Sequence, residues 1–167
     1  GSGRSPRVFF EIWHDPPVTV SDAHLIGDLV ARCGGTNVFG NDLGAGSSNG
    51  RYANNVENTL RTPVLDCWGH SNLVIQFYRW LNVEGPAYDQ AYVEVSNNGT
   101  SGPWNVVWQN PSAITDNAWF FVELDISQWA DQDDNVVVRF RLKSDGNRAY
   151  AGWNIDDFVV RERPATP

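Results

Sequence analysis

Methionine is absent from the 167 residues, cysteine occurs twice and lysine is scarce. No apolar run approaches the about 20 residues that a membrane-spanning helix needs, so no membrane insertion is expected. Basic residues number 12 against 20 acidic ones, a net charge of −8, and they form no stripe. Nucleic acid and anionic membrane surfaces are therefore poor partners, and the acidic balance reads first as solubility. Catalytic patterns are missing as well. His14, His24 and His70 share no HExxH-type spacing, and no Cys–His pair has sequence support. A glycan hydrolase would need two carboxylates facing each other across a cleft, and the strand-borne candidates Glu94 and Glu123 have no other support. The expectation is a non-enzyme. Cys33 and Cys67 match no zinc or CxxC pattern. They could pair in an oxidising compartment or remain two buried thiols, and the sequence leaves both open. Gly1–Ser2–Gly3 reads as a tag remnant, consistent with a trimmed leader.

Present in their place are eight tryptophans and many Gly, Asn, Asp and Ser residues, the composition of an extracellular all-β module. Apolar and β-branched runs at 59–65, 72–83, 88–96, 104–109, 119–126, 135–143 and 152–160 read as strands. Turn clusters separate them every ten residues or so, which is the sandwich pattern. Asn98–Gly99 is a hairpin turn signal. In the last run, GWNIDDFVV, the alternation of faces slips by one at Asp156–Asp157, as in a bulged strand. Upstream, residues 6–15 read as a strand stopped by Pro16–Pro17. Residues 21–33 read as one helix, with Ser21 as N-cap, an apolar face of Leu25, Ile26, Leu29, Val30 and Cys33, and Gly34–Gly35 as terminator. A short strand follows at 37–39, then a long polar loop at 40–58. The expected fold is mainly β: an antiparallel jelly-roll β-sandwich with one N-terminal helix. The divisions are a tag or linker at 1–5, a strand–helix segment at 6–36 packed on the sandwich, the sandwich at 37–161 and a frayed tail at 162–167.

From about residue 37 to 160 the chain resembles jelly-roll modules of secreted bacterial proteins, akin to MAM-like domains and to the cleaved-adhesin domains of surface proteases. The resemblance rests on NVFGNDL (37–43), Arg61–Thr62–Pro63 with Leu65–Asp66–Cys67, FYRWLNVE (77–84), YDQAYVEVSNNGT (88–100), ELDIS (123–127) and GWNIDDF (152–158). Residues 6–39 resemble instead one β-α-β unit of a periplasmic binding protein of the cobalamin and siderophore type. The chain therefore reads as a hybrid, natural, recombined or engineered, with its seam at Gly35–Phe39. The resemblance implies secretion or a bacterial cell surface, and an accessory module that binds glycan or protein surfaces or acts as a spacer. It also implies a structural Ca²⁺ held by the Asp156–Asp157 pair and Glu11, with Asp42 as a further donor. Without the metal, the same two Asp residues read as a turn cap and a solvated carboxylate. The cluster at Asp131, Asp133 and Asp134 reads as a solvated turn.

Strand parity puts Phe77, Arg79 and Leu81 on one face and Tyr78, Trp80 and Asn82 on the other. Arg79 is expected to ion-pair with Glu94 on a neighbouring strand or to stack on an aromatic ring. The functional alternative is a sugar-binding face built on Arg79 and Trp80, with Trp104 and Trp108 among several tryptophans able to supply a stacking platform. An unpaired first segment offers a route to oligomers by strand exchange.

Overall fold

The structure, a computed structural model, describes residues 51–164. The expected strands at 6–15 and 37–39, the helix at 21–33, the seam, and Glu11, Cys33 and Asp42 all lie outside the described residues. Within them the chain forms two four-stranded antiparallel sheets packed face to face, a jelly-roll β-sandwich. Sheet I has the order β1 (Glu57–Arg61), β7 (Val137–Lys143), β3 (Gln90–Ser96), β4 (Asn105–Gln109). Sheet II is built on β2 (Leu73–Val83). On one side it pairs with β8 (Gly152–Glu162), and on the other with β6 (Phe120–Asp125) and the two-residue β5 (Ile114–Thr115).

The period-2 runs account for this architecture. On β2, Leu73, Ile75, Phe77 and Leu81 point into the core, and on β3 Ala91, Val93 and Val95 meet them from the other sheet. Phe140 on β7 is the hub. Its ring packs edge-on against Phe77 (5.1 Å), Trp153 (5.4 Å) and Phe158 (5.8 Å). Between β3 and β4 the chain turns at Gly99, but within a longer connection than a two-residue hairpin, from Ser96 to Asn105. Gly99 has φ of +57°, and a Cβ there would sit 2.9 Å from Asn135 Oδ1.

The slip at Asp156–Asp157 is a bulge. The β2–β8 register shifts between Gln76 and Tyr78, and Asp157 adopts φ of +50°. The run at 59–65 forms a strand over Glu57–Arg61 alone. Beyond it Thr62 still donates to the Val138 carbonyl (2.9 Å) and Leu65 makes an isolated bridge to Val136, with Pro63 breaking the ladder between them. The acidic turn near residue 131 is a clasp. Asp131 accepts from the backbone N–H groups of Asn72 (2.8 Å) and Leu73 (3.0 Å), tying the one-turn helix α1 (Ser127–Ala130) to the start of β2.

Candidate functional site

Arg79 lies on the core side of β2, as parity requires, but its partner is not Glu94. Strands β2 and β3 belong to different sheets, so they face each other across the core instead of being hydrogen-bonded neighbours. The guanidinium makes a bidentate pair with Asp116 (2.9 and 3.1 Å), whose Oδ2 also accepts from Leu81 N–H (2.8 Å). It stacks between Trp108 (5.5 Å) and Phe120 (5.8 Å). Trp108 in turn packs on the buried Trp153 (5.8 Å). Arg79 and Trp108 therefore serve the sandwich interior.

Trp80, one residue on, points the other way. It lines an open groove of about 740 Å³ together with Arg51, Asn82, Asp116, Asn117, Arg148, Tyr150 and the backbone around it. Trp119 meets the Trp80 ring edge-on at 5.9 Å and sets its plane. The groove combines a half-buried indole, two side-chain amides, a phenol and the exposed guanidinium of Arg148. That set stacks on an apolar ring face and hydrogen-bonds hydroxyl groups.

Beside the groove is an acidic trio. Carboxylate oxygens of Glu84, Asp89 and Asp145 lie within 4.8 Å of one another, and Arg148 approaches Glu84 at 3.9 Å. Asp89 is fully buried. It accepts from the Tyr52 hydroxyl and from Asp145 N–H (2.8 Å). Burial, then the hydrogen bond and charge of Asp89, push the Tyr52 phenol far above its ordinary range. Asn110 closes the arrangement by donating to the carbonyls of Glu84 (3.1 Å), Ser112 (3.2 Å) and Asp89 (3.3 Å). Three carboxylates at this spacing are a hard-oxygen donor set that fits a cation of the calcium or magnesium type. The sequence did carry a signal for Asp89: it shares the inward parity of Ala91 and Val93, where a carboxylate needs a reason.

The outer face of sheet I holds a second polar network. Glu94 is buried and accepts from Arg139 Nε (2.6 Å), Arg141 Nε (3.0 Å) and Arg141 Nη2 (2.7 Å). Burial alone would raise its carboxyl, but the hydrogen bonds and charges of Arg141 and Arg139 outweigh that and hold it below the usual range. Arg139 lies 4.0 Å from the Trp104 ring centroid, and Arg141 lies 4.1 Å from that of Tyr92. Glu123, bound by Gln76 (2.6 Å) and Arg163 (3.1 Å), sits on the outer face of sheet II. Glu94 and Glu123 thus lie on opposite sides of the sandwich and share no cleft.

The expected ligand set is dispersed. Trp80 is in the groove, Trp104 is under Arg139 on the other sheet, and Arg79 and Trp108 face inward. Asp156 and Asp157 sit at the bulge, where Asp156 Oδ1 accepts from Asp157 N–H (2.8 Å). Cys67 is a free thiol in the core, pushed up to about 11 by burial and then by Asp66, Asp133 and Asp131. Among the described residues no helix is long and apolar enough to cross a membrane.

These features define a two-sheet antiparallel sandwich with a polar–aromatic groove beside an acidic trio. No protein-family model matches the chain. It is 31% identical over 133 residues to Bacillopeptidase F of Bacillus subtilis (strain 168), a match that covers 78% of this chain and 8% of that much longer protein. Among solved structures it is similar to the K1 cleaved adhesin domain of Lys-gingipain from Porphyromonas gingivalis W83, at a TM-score of 0.47 and 18% identity, covering 74% of this chain and 72% of that one. It is also similar to a family 16 carbohydrate binding module, at a TM-score of 0.39 and 10% identity over 67% and 74% of the two chains.

Proposed function

We propose that the chain is a non-catalytic binding module of a secreted bacterial protein and that its ligand is a glycan held in the Trp80 groove. The observation that carries this reading is the groove's lining: Trp80, with its plane set by Trp119, is ringed by Asn82, Asn117, Arg148 and Tyr150. A pyranose ring presents an apolar face and a rim of hydroxyls, and this lining matches both. Partial coverage of a much longer relative supports an accessory role within a larger protein. A glycan array tests the reading. Wild-type protein should give discrete hits that Trp80→Ala loses while keeping its circular dichroism spectrum. An empty array, or hits that survive the substitution, would remove the groove as the site.

A structural Ca²⁺ belongs to the same proposal, with Glu84, Asp89 and Asp145 as holders in place of, or in addition to, the Asp156–Asp157 pair. When bound it would neutralise three crowded carboxylates and tie the 84–89 turn to the 145–150 loop, whose Arg148 and Tyr150 line the groove. Tyr52 orients Asp89 by donating to one of its oxygens, and Arg148 spans the trio and the groove.

A further inference from the structure

Strand register places Arg61 of β1 directly opposite Arg139 of β7 on the outer face of sheet I. Side chains so paired have Cβ atoms about 5 Å apart, and like charges there repel. Glu94 compensates Arg139 and Arg141, and Glu57 reaches Arg141 at 3.4 Å, but neither carboxylate bonds Arg61. Among the described residues Arg61 Nε is buried without a hydrogen-bond partner. Arg139 uses its Nε on Glu94, and its two terminal nitrogens donate to none of the described residues. Both guanidinium groups border one ring: Trp104 lies 4.0 Å from Arg139 and 6.0 Å from Arg61. Two forks with free donors, held by one indole and short of negative charge, are an anion receptor.

We infer that Arg61, Arg139 and Trp104 form an anion subsite on the outer face of sheet I that takes a carboxylate or sulfate group of an acidic polysaccharide. The ligand's oxygens accept from Arg61 and from the terminal nitrogens of Arg139, and its charge relieves the cross-strand repulsion. Lys143 continues the cationic row along β7 beyond Arg141, with side chains two residues apart and so about 7 Å from one to the next. A repeating polyanion can follow such a row. An acidic protein partner is less well served, because tight protein interfaces centre on a desolvated apolar or aromatic anchor. Here Trp104 and Tyr92 are already covered by arginines. The site lies on the opposite sheet from the Trp80 groove and stands or falls independently of it.

The test is affinity electrophoresis of the full chain in gels containing a sulfated polysaccharide, a polyuronate or a neutral polymer, with polyglutamate as the peptide arm. The expected result is retardation by one or both acidic polysaccharides and not by the neutral gel, weakening steeply with salt. Arg61→Gln should weaken it at least fivefold and Arg61→Lys by less, while Arg163→Gln, the same charge change on the other sheet, should leave it within twofold. Which acidic gel retards more assigns the group as sulfate or carboxylate. The inference is overturned if neither acidic polysaccharide retards the protein, if Arg163→Gln matches Arg61→Gln, or if polyglutamate binds as tightly as the polysaccharides.

Discussion

Sheet I turns arginines outward and sheet II turns aromatic rings outward. On sheet I the row Arg61, Arg139, Arg141 is organised by a buried carboxylate, Glu94, and by Trp104 and Tyr92 lying against the guanidinium groups. On sheet II the outward residues Tyr78 and Phe121 pack on each other at 5.6 Å and stay exposed, and further along β2 Trp80 opens into the groove. The interior shows the reverse assignment: the buried ion pair Arg79–Asp116 belongs to sheet II, and the inward side of sheet I is apolar, its trio residue Asp89 lying just outside β3. Around Glu94 the charges of sheet I are fixed by partners, as are those of Glu123 and Arg163 on sheet II, whereas around Trp80 the polarity of sheet II is left available. That difference is why the glycan site is assigned to sheet II, and why the one uncompensated arginine of sheet I stands out.

The largest effects should come from removing the organising carboxylates. Asp89→Ala leaves the Tyr52 hydroxyl and Asp145 N–H without their acceptor in a closed site and should cost about 3 kcal/mol, read by urea denaturation. Glu94→Gln should cost about 2 kcal/mol, below the figure for a fully buried pair because the arginines reach solvent. A loss under 0.5 kcal/mol at Glu94, on the scale of an exposed pair, would erase the contrast between the two faces.

The acid limb sharpens the same comparison. The Glu94 carboxyl lies below its unfolded value in the folded state, so its stabilisation is present above the unfolded pKa of about 4.3 and is lost as pH falls through the lower folded value. Wild type should therefore lose stability below about pH 4.3 more steeply than Glu94→Gln, and parallel acid limbs would show that Glu94 does not carry the effect. Calcium at about 100 times its Kd should raise the Tm by about 5–10 °C, and chelator should reverse it. Asp145→Asn should abolish that shift if the trio is the site, and Asp156→Asn should do so if the bulge is. The smallest effect belongs to Arg61→Gln, which should raise stability by about 0.5 kcal/mol at low salt by relieving the cross-strand pair.

The strands were legible because alternation and turn residues are local. Seven runs became strands, and even the bulge at Asp156–Asp157 was visible as a slipped period. Sheet membership was not legible, because it depends on crossovers between layers. The expected Arg79–Glu94 pair presupposed that β2 and β3 were neighbours, and Asp116, in a loop beside the two-residue β5, gave no strand-length signal. The trio was hidden for the same reason: Glu84, Asp89 and Asp145 come from two turns that meet only once the sandwich closes. Parity separated Trp80 from Phe77 and Leu81 without saying which face was outward, and Arg148 and Tyr150, which complete its groove, lie in the loop before β8.

The most direct measurement is a calorimetric titration of the strongest array glycan into wild type and Trp80→Ala. A groove site predicts one-to-one binding that falls at least tenfold in the variant with the Tm little changed. Equal affinity in the two proteins would contradict it.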